Sequence, residues 1–422
     1  VSSYHAITAC RLCGGKTLTK ILDLGEQALT GVFPKRADVD VPKGPLVLVK
    51  CMPGEASGEA GVDACGLVQL AHSFEPTEMY GENYGYRSGL NRSMVEHLRR
   101  KVEALLARTT VGAGDVVLDI GSNDGTTLSF YPKEATLIGI DPTSAKFARY
   151  YPPHVKRVAA FFDAKTFFEA SAGARARIVT SIAMFYDLER PLDFARDVHA
   201  VLEDGGIWHF EQSYLPMMLD ATSYDTVCHE HLEYYALRQI DWIARRAGFH
   251  IVDVTLNDVN GGSFAVTAVK GPGEHAPVVL EMLAREDAAK LDALAPYLAF
   301  EERVAAHGRE LRALVERLTR EGKKVFALGA STKGNVILQY CGLGPELVPC
   351  VAEVNEDKFG AFTPGTKIPI VSEADAFAQK PDYLLVLPWH FRRGLLERGK
   401  GFVEAGGRYL FPLPRIEVVP EG

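Results

Sequence analysis

Thirteen residues constrain this chain more than any others: Val116-Val117-Leu118-Asp119-Ile120-Gly121-Ser122-Asn123-Asp124-Gly125-Thr126-Thr127-Leu128. The first five, apolar and β-branched around Asp119, have the composition of a strand covered on both faces. Gly121 and Gly125 permit positive φ and let a ligand approach the backbone closely. Ser122, Asn123 and Asp124 supply caps and polar contacts where a helix is expected to start. Twenty residues past Gly121, a second apolar strand, Leu137-Ile138-Gly139-Ile140, ends in Asp141. An acid at that point can accept from both hydroxyls of a ribose.

The spacing Gly121-x-x-x-Gly125 lacks the close Gly-x-Gly pair that a dinucleotide pyrophosphate needs. It resembles the first motif of class I methyltransferases, which bind S-adenosylmethionine. That resemblance implies a glycine loop facing the methionine part and Asp141 holding the ribose.

A chain of 422 residues exceeds one core and predicts two or three domains. Its formal charge of −8 argues against a nucleic-acid surface. No apolar run reaches the roughly 18–20 residues of a membrane span, and the start, Val1-Ser2-Ser3-Tyr4-His5, does not have the pattern of a signal peptide. A soluble cytoplasmic protein is therefore expected.

Four of the seven cysteines lie in the first 65 residues. Cys10-Arg11-Leu12-Cys13-Gly14-Gly15 is a knuckle that aims two thiolates at one point, and Cys51 and Cys65 supply a second pair. Four thiolates make a closed, structural zinc site, a useful staple for a thin core. The thirteen residues between Cys51 and Cys65 depart from a second tight knuckle and read as an inserted loop.

After the knuckle, residues 74–88 are dense in tyrosine and glycine, Tyr80 among them, and suit a lid or substrate wall. Helical spacing follows from Ser93 to Leu106. Beyond Asp141, strands are expected at 155–160, 176–187 and 205–211, with a final antiparallel pair starting at Gly248 and Gly262. Phe161 or Phe162 follows the third strand, where class I methyltransferases flank the adenine. Met184, Phe185 and Tyr186 fall at the carboxyl end of the fourth strand, near cofactor and substrate.

The most chemically loaded stretch is Tyr224-Asp225-Thr226-Val227-Cys228-His229-Glu230-His231-Leu232-Glu233-Tyr234-Tyr235. Imidazole can remove a proton from carbon beside a carbonyl, a neighbouring Glu can orient the ring, and phenols can hydrogen-bond an enolate oxygen. A metal site from His229, Glu230 and His231 is the alternative, although helical zinc spacing is absent.

Residues 276–321 read as one long helix, leading to a second strand–glycine–helix unit, Lys324-Val-Phe-Ala-Leu-Gly329-Ala330-Ser331-Thr332-Lys333-Gly334-Asn335. Ser, Thr and Lys at a helix start are anion chemistry, but the ATP-binding P-loop pattern is missing. Later strands place Glu353, Asn355 and His390 on the same rim.

These parts in this order resemble the nucleotide-deoxysugar C-methyltransferases over nearly the whole chain, and especially the C-3 methyltransferase of tetronitrose synthesis. The resemblance implies an α/β protein: a zinc-binding domain at 1–75, a class I methyltransferase Rossmann-like core at 76–275, and a smaller Rossmann-like domain at 276–422 that binds the nucleotide sugar. It implies S-adenosylmethionine and structural zinc as cofactors, zinc being held by Cys10, Cys13, Cys51 and Cys65. Cofactor contacts are expected from Asp119, Gly121, Ser122, Asn123, Gly125, Asp141, Phe162 and Met184. The acceptor is a dTDP-linked 4-keto-6-deoxysugar of antibiotic pathways, met by Ser331, Thr332, Lys333, Asn335, Glu353 and His390. His229 or His231 acts as base with Glu230 orienting, while Tyr80 and Tyr224 steady the enolate or sugar. Neither nucleic acid nor membrane is an expected partner. An NAD-dependent epimerase or reductase built on the second glycine unit, and a zinc-knuckle scaffold, are the competing readings.

Overall fold

The computed structural model describes residues 4–53, 64–75 and 87–420. Near the amino terminus, β1 (Tyr4–Ala6), β2 (Leu18–Ala28), β3 (Lys43–Cys51), β4 (Val68–Leu70) and β5 (His72–Phe74) precede the helix Arg92–Arg108. That helix buries Met94, Leu98, Val102 and Leu105 on one stripe, which is the periodicity its sequence carries.

The central sheet contains β6 (Val116–Ile120), β7 (Thr136–Ile140), β8 (Val155–Val158), β9 (Ala176–Ile182) and β10 (Leu202–Ser213). The next strand, β11 (Glu233–Tyr234), belongs elsewhere, and β12 (Phe249–Asn257) and β13 (Ser263–Lys270) return to the central sheet. Its order is β12-β13-β10-β9-β6-β7-β8, parallel from β8 to β10, with β13 antiparallel to both of its neighbours. All five residues of β6 are buried, as its uninterrupted apolar run requires in a sheet covered on both faces. Phe185, Trp208 and Phe210 pack ring to ring at one side of this sheet.

A third sheet contains β14 (Val325–Leu328), β15 (Val351–Glu353), β16 (Ile370–Ser372), β17 (Tyr383–Val386), β18 (Arg408–Phe411) and β19 (Glu417–Val419). Its order is β16-β15-β14-β17-β18-β19, parallel except for β19. The amino-terminal sheet runs β11-β4-β3-β2, so a strand from the middle of the chain completes it. That sheet also meets the carboxy-terminal region. The Gln339 amide pairs in both directions with the Ala28 backbone, and Asn335 Nδ2 donates to Thr30 O at 2.7 Å.

Three local expectations are corrected. The glycine loop leads not into a regular helix but into the single 3-10 turn Leu128–Phe130, because Asp124 takes Thr126 N–H and Oγ1 in a local turn. The long helix at 276–321 is two, Pro277–Ala288 and Ala295–Arg320, separated where Lys290 adopts φ of 54° and closed off by Pro296 in the first turn of the second. The third strand of the central sheet stops at Val158. No helix among the described residues is long and apolar enough to cross a membrane.

Candidate active site

The metal site is local to the knuckle. Gly14 N–H returns to Cys10 O and Cys10 N–H to Gly15 O, folding the turn so that Cys10 and Cys13 converge. Their Sγ atoms lie 3.6 Å from Cys65 Sγ and 3.5 Å from Cys51 Sγ respectively, and all four sulfurs are within 4.8 Å of one another. Tetrahedral zinc with bonds of about 2.3 Å sets sulfurs about 3.8 Å apart, so the four thiolates fit that ion. The insertion between Cys51 and Cys65 does not remove either ligand. A Cβ on Gly15 would lie 3.3 Å from Cys51 Sγ, which accounts for a glycine there. Among the described residues this is the one metal-binding cluster; His229, Glu230 and His231 do not form another.

The cofactor loop sits at the carboxyl edge of β6. Gly121 and Gly125 adopt φ of 70° and 77°, the left-handed region that a side chain strains. Asp141 is buried beside them, its Oδ2 accepting Asn123 N–H at 2.8 Å and its Oδ1 accepting Thr143 N–H and Oγ1–H, each at 2.6 Å. Ser122 Oγ is 2.7 Å from Tyr151 OH, and the Tyr151 ring covers Gly125. Met184 stands against Gly121, where its Cγ would meet an added Cβ at 3.0 Å. Phe162 is half-buried edge-on to Phe194, and Phe161 is exposed. Asp119 is the exception. It lies under the loop, bonded to Thr180 Oγ1 at 2.5 Å and to the Thr127 side chain, and burial raises it to about 7. It braces the turn from below instead of lining the site. Ser88 and Gly89 N–H donate to Asn123 Oδ1 and Asp124 Oδ2, anchoring the chain as it leaves the segment that carries Tyr80. Tyr80 itself lies outside the described residues.

The two histidines are separated by their partners. His229 is fully buried, edge-on to Phe74, with Nε2–H donating to Gly44 O at 3.3 Å. It faces the amino-terminal sheet. His231 is half-buried at the other side, its ring 4.3 Å from that of Tyr186, and its Nδ1–H donates to Thr226 O at 2.8 Å. Because a carbonyl can only accept, Nδ1 carries the proton of the neutral ring, leaving the Nε2 lone pair outward. Burial, then the charge of Lys333, lowers His231 to about 3; burial alone lowers His229, to about 4.

Two roles expected of neighbours are corrected. Glu230 does not orient either ring, because Thr226 O and Gly44 O do so. Its carboxylate instead reaches the Thr30 and Cys228 side chains and crowds Gly31, where a Cβ would collide with it, and burial raises its pKa. Tyr224 is fully buried, and its hydroxyl donates to His307 Nδ1 at 3.1 Å beside Cys341 Sγ. It therefore packs the domain junction, with its hydroxyl already engaged.

Of the six residues expected from the carboxy-terminal rim, three hold the loop together. Ser331 Oγ accepts Gly334 N–H as an N-cap, and Asn335 is tied to Thr30. Glu353 accepts from Ala330, Val354 and Asn355 N–H at 2.7–2.9 Å. Thr332, Lys333 and His390 face the junction. Thr332 Oγ1 would lie 3.7 Å from a Cβ on Gly31, close to Glu230. Lys333 Nζ donates to Asn260 O at 2.6 Å; burial lowers its pKa, and the Asp225 carboxylate opposes that shift. Burial, then Lys333, lowers His390 to about 3. Asp225 and Trp389 were missed. Trp389 Nε1–H donates to Asp225 Oδ2 at 2.8 Å, tying the junction together across 164 residues. The cue was present, since a carboxylate amid apolar and aromatic neighbours needs a partner.

The sheet order, glycine loop and cysteine cluster together define a class I S-adenosylmethionine-dependent methyltransferase with a zinc-binding amino-terminal domain. Family models agree with that assignment: a zinc binding domain at residues 10–80, a methyltransferase domain at 91–254, and a C-methyltransferase C-terminal domain at 258–414. The chain belongs to the C-methyltransferase family. It is 31% identical to C-methyltransferase NovU of Streptomyces niveus over 424 residues, covering 98% of this chain and 97% of that protein. Among solved structures, magnesium protoporphyrin IX methyltransferase from Synechocystis PCC 6803 is 13% identical with a TM-score of 0.32, covering 42% of this chain and 79% of that one. An O-methyltransferase family protein from Burkholderia thailandensis is 18% identical with a TM-score of 0.33, covering 44% and 57%.

Proposed function

We propose that this C-methyltransferase acts on C-3 of a dTDP-linked 4-keto-6-deoxysugar of the kind built in antibiotic pathways, with His231 as base. The observation that carries the assignment is the Nδ1–H bond to Thr226 O, which leaves the lone pair of the neutral ring on Nε2; the charge of Lys333 reaches the ring and, after burial, lowers its pKa. Bound S-adenosylmethionine supplies an electrophilic methyl group on sulfonium, and the loop at Gly121–Gly125 with Asp141 and Met184 holds it. A C-4 ketone acidifies the C-3 hydrogen, His231 Nε2 takes that proton, and the electron pair delocalises onto the C-4 oxygen until C-3 is methylated. Lys333 provides positive charge for the diphosphate or the enolate oxygen, with Thr332 and His390 beside it. An anionic acceptor paired with Lys333 cancels the second cause of the lowered His231 pKa, so the base strengthens when its substrate is in place. Glu230, near Thr332, accepts from a sugar hydroxyl.

His231→Asn and His229→Asn separate the two rings. Both variants should bind S-adenosylhomocysteine, and His231→Asn should lose turnover by about a thousandfold together with C-3 deuterium exchange. Retained exchange in His231→Asn rejects the assignment. Titration with S-adenosylhomocysteine and with NAD distinguishes methyl transfer from the nicotinamide reading.

A further inference from the structure

We propose that Arg11, set between the first two metal-ligating cysteines, is the positioning residue through which the metal knuckle fixes both loops of the methyl-transfer site. This rests on the reading of His231 as base. The Arg11 side chain is 3% exposed. Nη1 donates to Leu70 O at 2.7 Å, and Nη2 donates to His72 O at 3.0 Å and to Ser73 Oγ at 2.8 Å. Nε donates to Glu189 Oε2 at 3.1 Å and lies 4.0 Å from Glu233 Oε1. The two acids belong to different catalytic segments. Glu189 is three residues beyond Tyr186, whose ring contacts His231, and Glu233 is two residues beyond His231 itself. Glu233 is buried, and neither of its carboxylate oxygens has a hydrogen-bond partner; burial raises its pKa well above the usual carboxylate range, and the nearby Arg11 guanidinium opposes that rise.

The same residue is tied to the metal ligands. Arg11 N–H donates to Gln69 Oε1 at 3.0 Å, and Gln69 Nε2–H donates to Cys10 Sγ at 3.1 Å. Gln69 pairs across the sheet with Glu233, Leu70 N–H donates to Leu232 O, and Leu232 N–H donates to Tyr186 O. Knuckle, β4, the His231 loop and the Tyr186 loop thus form one hydrogen-bonded block, with Arg11 at its centre. A metal that closes the knuckle fixes the Arg11 backbone, and the guanidinium carries that constraint to both loops.

Hydrogen exchange on the full chain, zinc-loaded and chelated, tests this directly. Metal removal should raise exchange about 10-fold at residues 184–190 and 226–235 while leaving 116–128 unchanged. Zinc-loaded Arg11→Met should show the same pattern with its zinc content intact. Its kcat should fall about 10- to 100-fold at unchanged KM for S-adenosylmethionine. The acid limb of its kcat profile should move up toward about 6.5 as water reaches His231. Arg11→Lys should recover part of each loss. Unchanged exchange at 226–235, both on metal removal and in Arg11→Met, overturns the proposal. If Arg11→Met does not fold, Glu189→Gln at the exposed carboxylate decides: raised exchange at 184–190 supports the link and unchanged exchange overturns it. The exchange readout is independent of which group is the base. Activity in His231→Asn alongside metal-dependent exchange would remove the base assignment and leave the coupling standing.

Discussion

The chain builds nearly the same turn twice and uses it for different ends. At Gly121 and at Gly329 a fully buried strand ends in a glycine of positive φ, and the acid closing the next parallel strand reaches back to the loop backbone. Asp141 takes Asn123 N–H at 2.8 Å, and Glu353 takes Ala330 N–H at 2.7 Å. The likeness stops at the next residue. After Gly121 the chain makes one 3-10 turn, and a flexible side chain, Met184, lies over the glycine. After Gly329 a nine-residue helix starts at once, capped by Ser331 and tied through Asn335 to Thr30, and the Pro388 ring closes over the glycine. The first turn keeps its backbone available to a ligand. The second engages its backbone in joining domains, leaving Thr332 and Lys333 to meet the acceptor.

Exchanging the acids should break the likeness most widely. Asp141→Ala should weaken S-adenosylhomocysteine about 100-fold by calorimetry, whereas Glu353→Ala should leave that affinity within about 2-fold. Three unpaired backbone donors should instead cost Glu353→Ala about 3 kcal/mol in denaturant unfolding. Lys333→Met should lower kcat/KM for the acceptor about 30-fold with cofactor affinity unchanged, as expected for one charge-assisted contact. The glycines give a finer contrast: alanine at either position meets a strain of about 1–2 kcal/mol. Gly329→Ala should lose more in thermal unfolding, because a Cβ there meets the Pro388 ring at 2.7 Å, while Met184 can rotate away from Gly121. The histidines add a contrast that acts only in acid. His229 is held neutral with a pKa of about 4, so the unfolded chain binds the extra proton first. Its share of stability should then fall as pH drops from about 6.5 to about 4, by up to about 3 kcal/mol, and His229→Asn should remove that share while His231 and His390 keep theirs.

Much of this was legible where the cause is local. Strand composition, glycine spacing and the cysteine knuckle act within a few residues, so β6, the Asp141 strand and the four thiolates could be read directly. Roles set by distant partners could not. Tyr224 looked like a substrate contact until His307, on a helix of the carboxy-terminal half, took its hydroxyl. Glu353 looked like a ligand acid, but its oxygens serve three backbone amides. The same holds for the histidines: two residues apart in a turn, they are distinguished only by their partners, Gly44 O and Thr226 O. Arg11 carries no cue of its own in the sequence, because all of its acceptors are at least 58 residues away.

Strand β11 has a consequence for how the protein is made. The amino-terminal sheet has a bare β4 edge until a strand more than 160 residues later is available to cover it. During synthesis that edge is an open template for pairing with another chain, and its closure waits on the central sheet. Grafting the amino-terminal domain onto a different core would therefore transplant an uncapped edge, unless residues 232–235 travel with it.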